Sequence, residues 1–268
     1  MRAPSAVAGA ALAGIVAGAG MTFARRIHAG PWRRTNFAGR PVTLLEGPVF
    51  VAATALPAIW RRDLPAVLAI VGPGVMGGVD DLAGDATAKG LGGHLRALRS
   101  GRITTGSAKI AVIGASALAA VLLERHAATT RPPLVWLVVD TGVVAGAANL
   151  INLLDLRPGR ALKAAGGTAT LLLAEPTSRA VSGPLLGATA ALLPADLGAE
   201  GMLGDCGANA AGSQIGLALT RACPPWGRAA ILAGIVALTL ISERVSFTKV
   251  IENTPVLREL DAWGRTSP

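Results

Sequence analysis

Gly77–Ile110 reads GGVDDLAGDATAKGLGGHLRALRSGRITTGSAKI. The apolar run Leu64–Val79 delivers two adjacent carboxylates, Asp80 and Asp81, and a basic, glycine-punctuated loop leads on into the next apolar run at Ile110. This pattern sets acids at a membrane edge and surrounds them with cations. Adjacent acids repel unless something positive holds them, and either a divalent metal or a nearby Lys or Arg can do so. A plainer reading is that the pair only ends a membrane helix.

Composition points the same way. Hydrophobic residues make up 51% of the 268 and charged residues 15%, and the mean hydropathy is +0.52. A water-soluble chain of this length needs more charge to cover itself, so the class is a polytopic membrane protein. The formal net charge of +9 raises nucleic acid as a partner. The basic residues, however, fall in short loops between apolar runs, and aromatics are only 3% with no Tyr, too few for base stacking. Nucleic acid is therefore excluded, and the cations are read as topology signals. Cys206 and Cys223 flank one apolar run and are expected on opposite sides of the membrane, with no disulfide framework.

Outward from the opening stretch, the first run spans Pro4–Phe23, long enough to cross a bilayer, and it is expected to be retained because Arg25 and Arg26 follow at once. A basic loop with five arginines comes next, then a run Val42–Trp60 with Glu46 near its start. In the third run Gly72, Gly74 and Gly77 have GxGxxG spacing, but there is neither the strand before nor the soluble helix after that a dinucleotide site requires. They are read as a helix-packing surface, as are Gly142 and Gly146 in the fifth run, Leu134–Leu154. The fourth run is Ile110–Leu123. Asp140 lies inside the fifth run and must face protein or a polar cavity.

The end of the fifth run places Asn149, Asn152 and Asp155 at steps of three, within an arc of about 120° on a helix. Three polar side chains on one face can make a binding site, or they can cap a frayed helix end. Two weaker runs follow, Gly166–Ala174 and Val181–Leu193. The next loop holds Asp205 between Gly204 and Cys206, where it can approach a metal or phosphate or act as a helix N-cap. Runs Ala210–Ala222 and Trp226–Ile241 finish the membrane part. The expected fold is thus an all-α integral membrane bundle of about nine transmembrane helices over residues 1–242, with a cytoplasmic amphipathic tail over 243–268. Nine crossings with the amino terminus outside put 17 of the 25 basic residues inside. The same assignment brings Asp80, Asp81, Asn149, Asn152, Asp155 and Asp205 to one cytoplasmic surface.

In this order, RRTNFAGRPVTLLEGP, GGVDDLAGD with AKGL downstream, NLINLLD and MLGDCGAN resemble the polyprenyl-phosphate N-acetylhexosamine-1-phosphate transferases, which include the phospho-N-acetylmuramoyl-pentapeptide translocase of peptidoglycan synthesis. The resemblance covers most of the chain. It implies transfer of a sugar 1-phosphate from a UDP-N-acetylhexosamine to membrane polyprenyl phosphate with release of UMP, in cell-envelope glycan synthesis and with magnesium as cofactor. By motif position it implies that Asp80 and Asp81 are catalytic, that Asp205 and Asp81 hold the metal, and that Lys89, Asn149, Asn152 and Asp155 bind substrate. The protein is expected in the cell membrane with its active site on the cytoplasmic side, and a homodimer is admitted.

The chain also departs from that family. Gly84 stands where the family has a lysine, Pro158 where it has a second acid, and neither a histidine-rich loop nor a final membrane helix is found. A non-catalytic paralogue that binds a lipid carrier or a partner is the second reading. A small-solute transporter is the third, although its polar residues belong at mid-membrane rather than at one edge.

Overall fold

A computed structural model describes residues 5–27, 30–36, 39–83, 104–127 and 132–265. The described chain is an all-α membrane bundle with one small hairpin. Its helices are α1 (Ala6–Ala24), α2 (Glu46–Trp60), α3 (Leu64–Ala83), α4 (Thr105–Ala127), α5 (Leu134–Leu154), α6 (Arg160–Leu172), α7 (Arg179–Leu197), α8 (Gly204–Ala222), α9 (Pro225–Ser242), α10 (Phe247–Asn253) and α11 (Pro255–Ala262). Six of them, α1, α3, α4, α5, α7 and α9, are long and apolar enough to cross a membrane.

The bundle is organised around α8, every residue of which from Cys206 to Ala218 is buried. It packs between α3 and α5, with α2 and α7 also against it. Its sequence, rich in Ala and Gly, explains the position. Helices in lipid associate through close backbone approach rather than through a hydrophobic drive. A Cβ at Gly216 would stand 2.5 Å from Val144 Cα and one at Gly212 would stand 2.6 Å from Ala148 Cα, so α5 is held by glycine contact. The spaced glycines of α3 do the same work, meeting Ser116 of α4 at Gly72, Val51 of α2 at Gly74 and the Asp205 backbone at Gly77. Gly142 and Gly146 receive Leu232 and Ile235 of α9. Around this core the outer helices leave large apolar side chains uncovered, among them Val7, Ile15, Leu118, Val138 and Leu240, as a lipid-facing surface requires.

Several helices run beyond the apolar runs read from sequence. The fourth begins at Thr105 rather than Ile110, so Lys109 is helical and not part of a loop. The sixth begins at Arg160 and the seventh extends to Leu197, which makes Arg160, Lys163 and Asp196 helical too. In each case the end turn carries a charged residue that interrupts the apolar run, and hydropathy alone does not register it as helix.

Two ionic clusters lie at the end of the bundle away from Asp80 and Asp81. Arg221 near the end of α8 bonds both oxygens of Asp63, each at 2.7 Å, and Glu124 at 2.5 Å. Burial would raise the Asp63 carboxyl, but the hydrogen bonds and charge of Arg221 hold it below its ordinary value. Asp140 is answered by Arg228 of α9 at 2.6 Å, and the guanidinium carbon of Arg228 lies 5.6 Å from the Trp136 ring centroid. The intramembrane acid therefore faces protein.

Candidate functional site

The basic loop after α1 folds back as a hairpin, β1 (Arg33–Thr35) pairing antiparallel with β2 (Pro41–Thr43). Thr43 then clamps the segment that leads into α8: its N–H donates to the Glu200 carbonyl at 3.2 Å and its carbonyl accepts from Met202 N–H at 3.0 Å. Gly204 follows with φ of +59°, a left-handed turn that favours glycine. Its missing side chain matters as well, because a Cβ there would lie 2.9 Å from Asp81 Oδ2. The chain is thus folded so that α8 begins directly over the acidic pair of α3.

The two acids of that pair do different things. Asp81 accepts the N–H of Asp205 on Oδ1 at 3.0 Å and the N–H of Cys206 on Oδ2 at 2.9 Å. These are amides of the first turn of α8, which has no cap from its own side chains at Leu203. A carboxylate supplied from α3 fills that role, and the positive end of the helix dipole favours it. Asp205 therefore does not cap its own helix. The backbone carbonyl of Asp81 is in turn held by Arg34 Nη2 of the hairpin.

Asp80 turns the other way, toward α4. Lys109 Nζ lies 2.9 Å from Asp80 Oδ2 and 2.6 Å from Asp205 Oδ2. The two carboxyls are also within hydrogen-bond reach of each other, and the Thr105 side chain bonds Asp80. All three charged groups are mostly buried, with 15–27% of each side chain exposed. Asn209, one turn along α8, donates to the Asp205 carbonyl at 2.7 Å. Three helices thus bring two acids and one cation to one point, with a third acid fixing the backbone beneath them.

The remaining expected residues are distributed around this point. Helix α5 ends at Leu154, and Asp155 is its C-cap, buried, with its carboxylate toward the Gly204 amide. Burial pushes the Asp155 carboxyl well above its ordinary value, and the charge of nearby Asp196 adds to the effect. Asn149 is exposed on the outer side and bonds Thr239 of α9 at 3.4 Å. The structure therefore parts Asn149 from Asp155, because the helix ends before the arc of three is complete. Asn152 is half-buried between them. Lys89 lies outside the described residues.

Several residues here were not singled out from sequence. Lys109 is the main one, because nothing local pairs it with acids 29 and 96 residues away. Its only sequence signal is a cation one turn into a membrane helix. Behind the site Glu46 and Asp196 are buried, and the charges of Asp196 and Asp155 both act on Glu46. Both Glu46 oxygens, Asp155 Oδ2 and Asp196 Oδ2 lack hydrogen-bond partners. Among the described residues no group of three or more His, Cys, Asp or Glu converges to hold a metal ion. The donor set does suit a cation that takes few protein ligands: Asp80 and Asp205 already share one positive charge, and magnesium is commonly held by one or two carboxylates plus substrate phosphates. No protein-family model matches this sequence, and a search of the curated proteins finds no match.

Proposed function

We propose that the protein transfers a sugar 1-phosphate of the N-acetylhexosamine type from a UDP-sugar to a membrane polyprenyl phosphate, releasing UMP, in cell-envelope glycan synthesis. In this reading helices α1 to α9 make nine crossings of the cell membrane with the amino terminus outside, and the acidic site faces the cytoplasm. A phosphate oxygen of the lipid attacks the sugar-bearing phosphorus, the bond from that phosphorus to the bridging oxygen breaks, and UMP leaves with the bridging oxygen. Several negative charges meet in that step, so the reaction needs positive charge and alignment more than covalent help.

The observation that carries the reading is the meeting of Asp80, Lys109 and Asp205 over the N-terminus of α8. Lys109 offers a cation to an incoming phosphate, and the α8 dipole favours negative charge at the same place. Motif position implied Asp205 and Asp81 as the magnesium ligands; because both Asp81 oxygens accept α8 amides, we assign Asp205 and Asp80 as the residues that would hold magnesium, which when bound would neutralise phosphate charge. Asp81, with both oxygens on α8 amides, positions Asp205. Asp155 and Asn152 border the site on the α5 side and are assigned to the nucleotide sugar. One observation favours a second reading, a lipid-binding paralogue without catalysis: Lys109 already pairs with both acids, as in a structural ion pair.

Purified protein given magnesium, polyprenyl phosphate and a panel of UDP-N-acetylhexosamines is expected to release UMP, and chelation is expected to stop it. Asp205→Asn keeps the side-chain volume but is a poorer magnesium ligand, so it should lose most activity and keep its melting temperature. No UMP across the panel, with lipid carrier still bound, would favour the paralogue. Full activity in Asp205→Asn would remove the metal assignment.

A further inference from the structure

The C-terminal segment is fastened to the bundle by a set of charged and polar contacts. Asp261 of α11 pairs with Arg160 Nε and Nη2 at 2.7 and 2.8 Å, and Arg265 joins it at 2.7 Å. Lys163 Nζ donates to the carbonyls of Leu260, Asp261 and Trp263 at 2.9, 2.5 and 3.1 Å, which satisfies the open end of the helix. Arg157 holds Glu252 of α10 at 2.6 Å. No residue of α11 is buried. A helix that docks through its charges would ordinarily turn its apolar side to the protein core, and this one does the reverse.

At 100° per residue, Val256, Leu260 and Trp263 fall within an arc of about 60°, and Asp261 lies on the far side of the helix from that arc. The three are 66%, 60% and 71% exposed. They continue an apolar surface that starts inside the membrane span: α9 buries only Ile235 and shows Val236, Leu238, Leu240 and Ile241, after which Val245 and Val250 are also exposed. Trp226 at the start of α9 is 76% exposed, so exposed tryptophans stand before and after the span, as in the aromatic belts at bilayer interfaces. Arg244, Lys249 and Arg258 are exposed along the same segment beside Glu243, Glu252 and Glu259, charges of both signs that belong in a polar headgroup layer.

We infer that residues 243–265 lie in the headgroup layer of the bilayer at the face where α9 ends, with the Val256, Leu260 and Trp263 stripe turned into the lipid. The latch to Arg157, Arg160 and Lys163 sets the depth and rotation of α11, so that its apolar stripe enters lipid. Burial of these side chains then takes place against the membrane rather than against the protein.

The test uses the full chain in nanodiscs of phosphatidylcholine and phosphatidylglycerol, with single cysteines in a Cys223→Ser background carrying an environment-sensitive fluorophore; Cys206 is buried. A label at Leu260→Cys is expected to be quenched several-fold more by doxyl-labelled lipid than a label at Arg258→Cys, and to resist aqueous iodide. The double change Val256→Asp with Trp263→Asp, which leaves Asp261 and Arg160 untouched, is expected to abolish that difference without lowering the melting temperature. Iodide quenching at position 260 with no effect of doxyl lipid would overturn the inference. So would protection that develops only in discs holding two copies, which would assign the stripe to a second protomer. None of these readouts depends on sugar transfer.

Discussion

Gly77→Ala tests how α3 and α8 build the site. A Cβ at Gly77 would overlap the Asp205 carbonyl and stand 2.7 Å from the Cys206 nitrogen, 0.7 Å inside the 3.4 Å at which ordinary contact begins. The obstacle is backbone on both sides, so no side chain can rotate away and the two helices must separate. The atoms displaced are the amides that Asp81 accepts at 3.0 and 2.9 Å. Overpacking of this kind costs about 1–3 kcal/mol. Weakening two hydrogen bonds to a charged group adds about 1–3 kcal/mol. The expected total is roughly 2–6 kcal/mol, a fall in melting temperature on the order of 5–20 °C, read by thermal unfolding in detergent. Gly114 of α4 is the matched control, with no atom within 4 Å of an added Cβ. There alanine is expected to be neutral or to stabilise by up to about 1 kcal/mol. Equal melting temperatures for Gly77→Ala and wild type, or equal losses at both glycines, would refute the close approach of α3 to the start of α8.

Lys109→Met leaves Asp80 and Asp205 facing each other without their shared cation, a loss of about 3 kcal/mol for removing one partner of a largely buried pair. Magnesium should then raise the melting temperature of the variant more than that of wild type, since the acids have lost a competing cation; an unchanged melting temperature would remove Lys109 from the site. The tail latch should depend on pH. Burial favours the neutral Asp261 carboxyl, but the bonds from Arg160 and Arg265 prevail and hold it below its ordinary value of 3.8. A lowered carboxylate contributes stability that is present above the ordinary value and is lost as pH falls through the lowered one. A spin label at Ala262→Cys should therefore stay immobilised at neutral pH and gain mobility only below about pH 4, whereas Arg160→Gln should free it at neutral pH.

Hydropathy and charge placement were enough to read the class of this protein. Long apolar runs must become helices in lipid, because every backbone amide needs an internal partner there, and the runs at Pro4, Leu64, Leu134 and Trp226 each match a described helix to within a few residues. The positions of Asp80, Asp81 and Asp205 at the ends of such runs were legible for the same reason. Their division of labour was not. Asp81 acts as the cap of a helix 124 residues later, Lys109 joins acids from two other helices, and Asp140 is answered by Arg228. The Asn149 to Asp155 arc also failed to stay together, because one end of it meets α9 and the other meets Gly204. Local sequence determines where a helix can form and where charge must leave the lipid, since both follow from neighbours along the chain. Only the packing of the helices on one another, of α8 on α3 and α5 and of α4 and α9 around them, decides which charges meet, because that depends on which glycines allow a close approach.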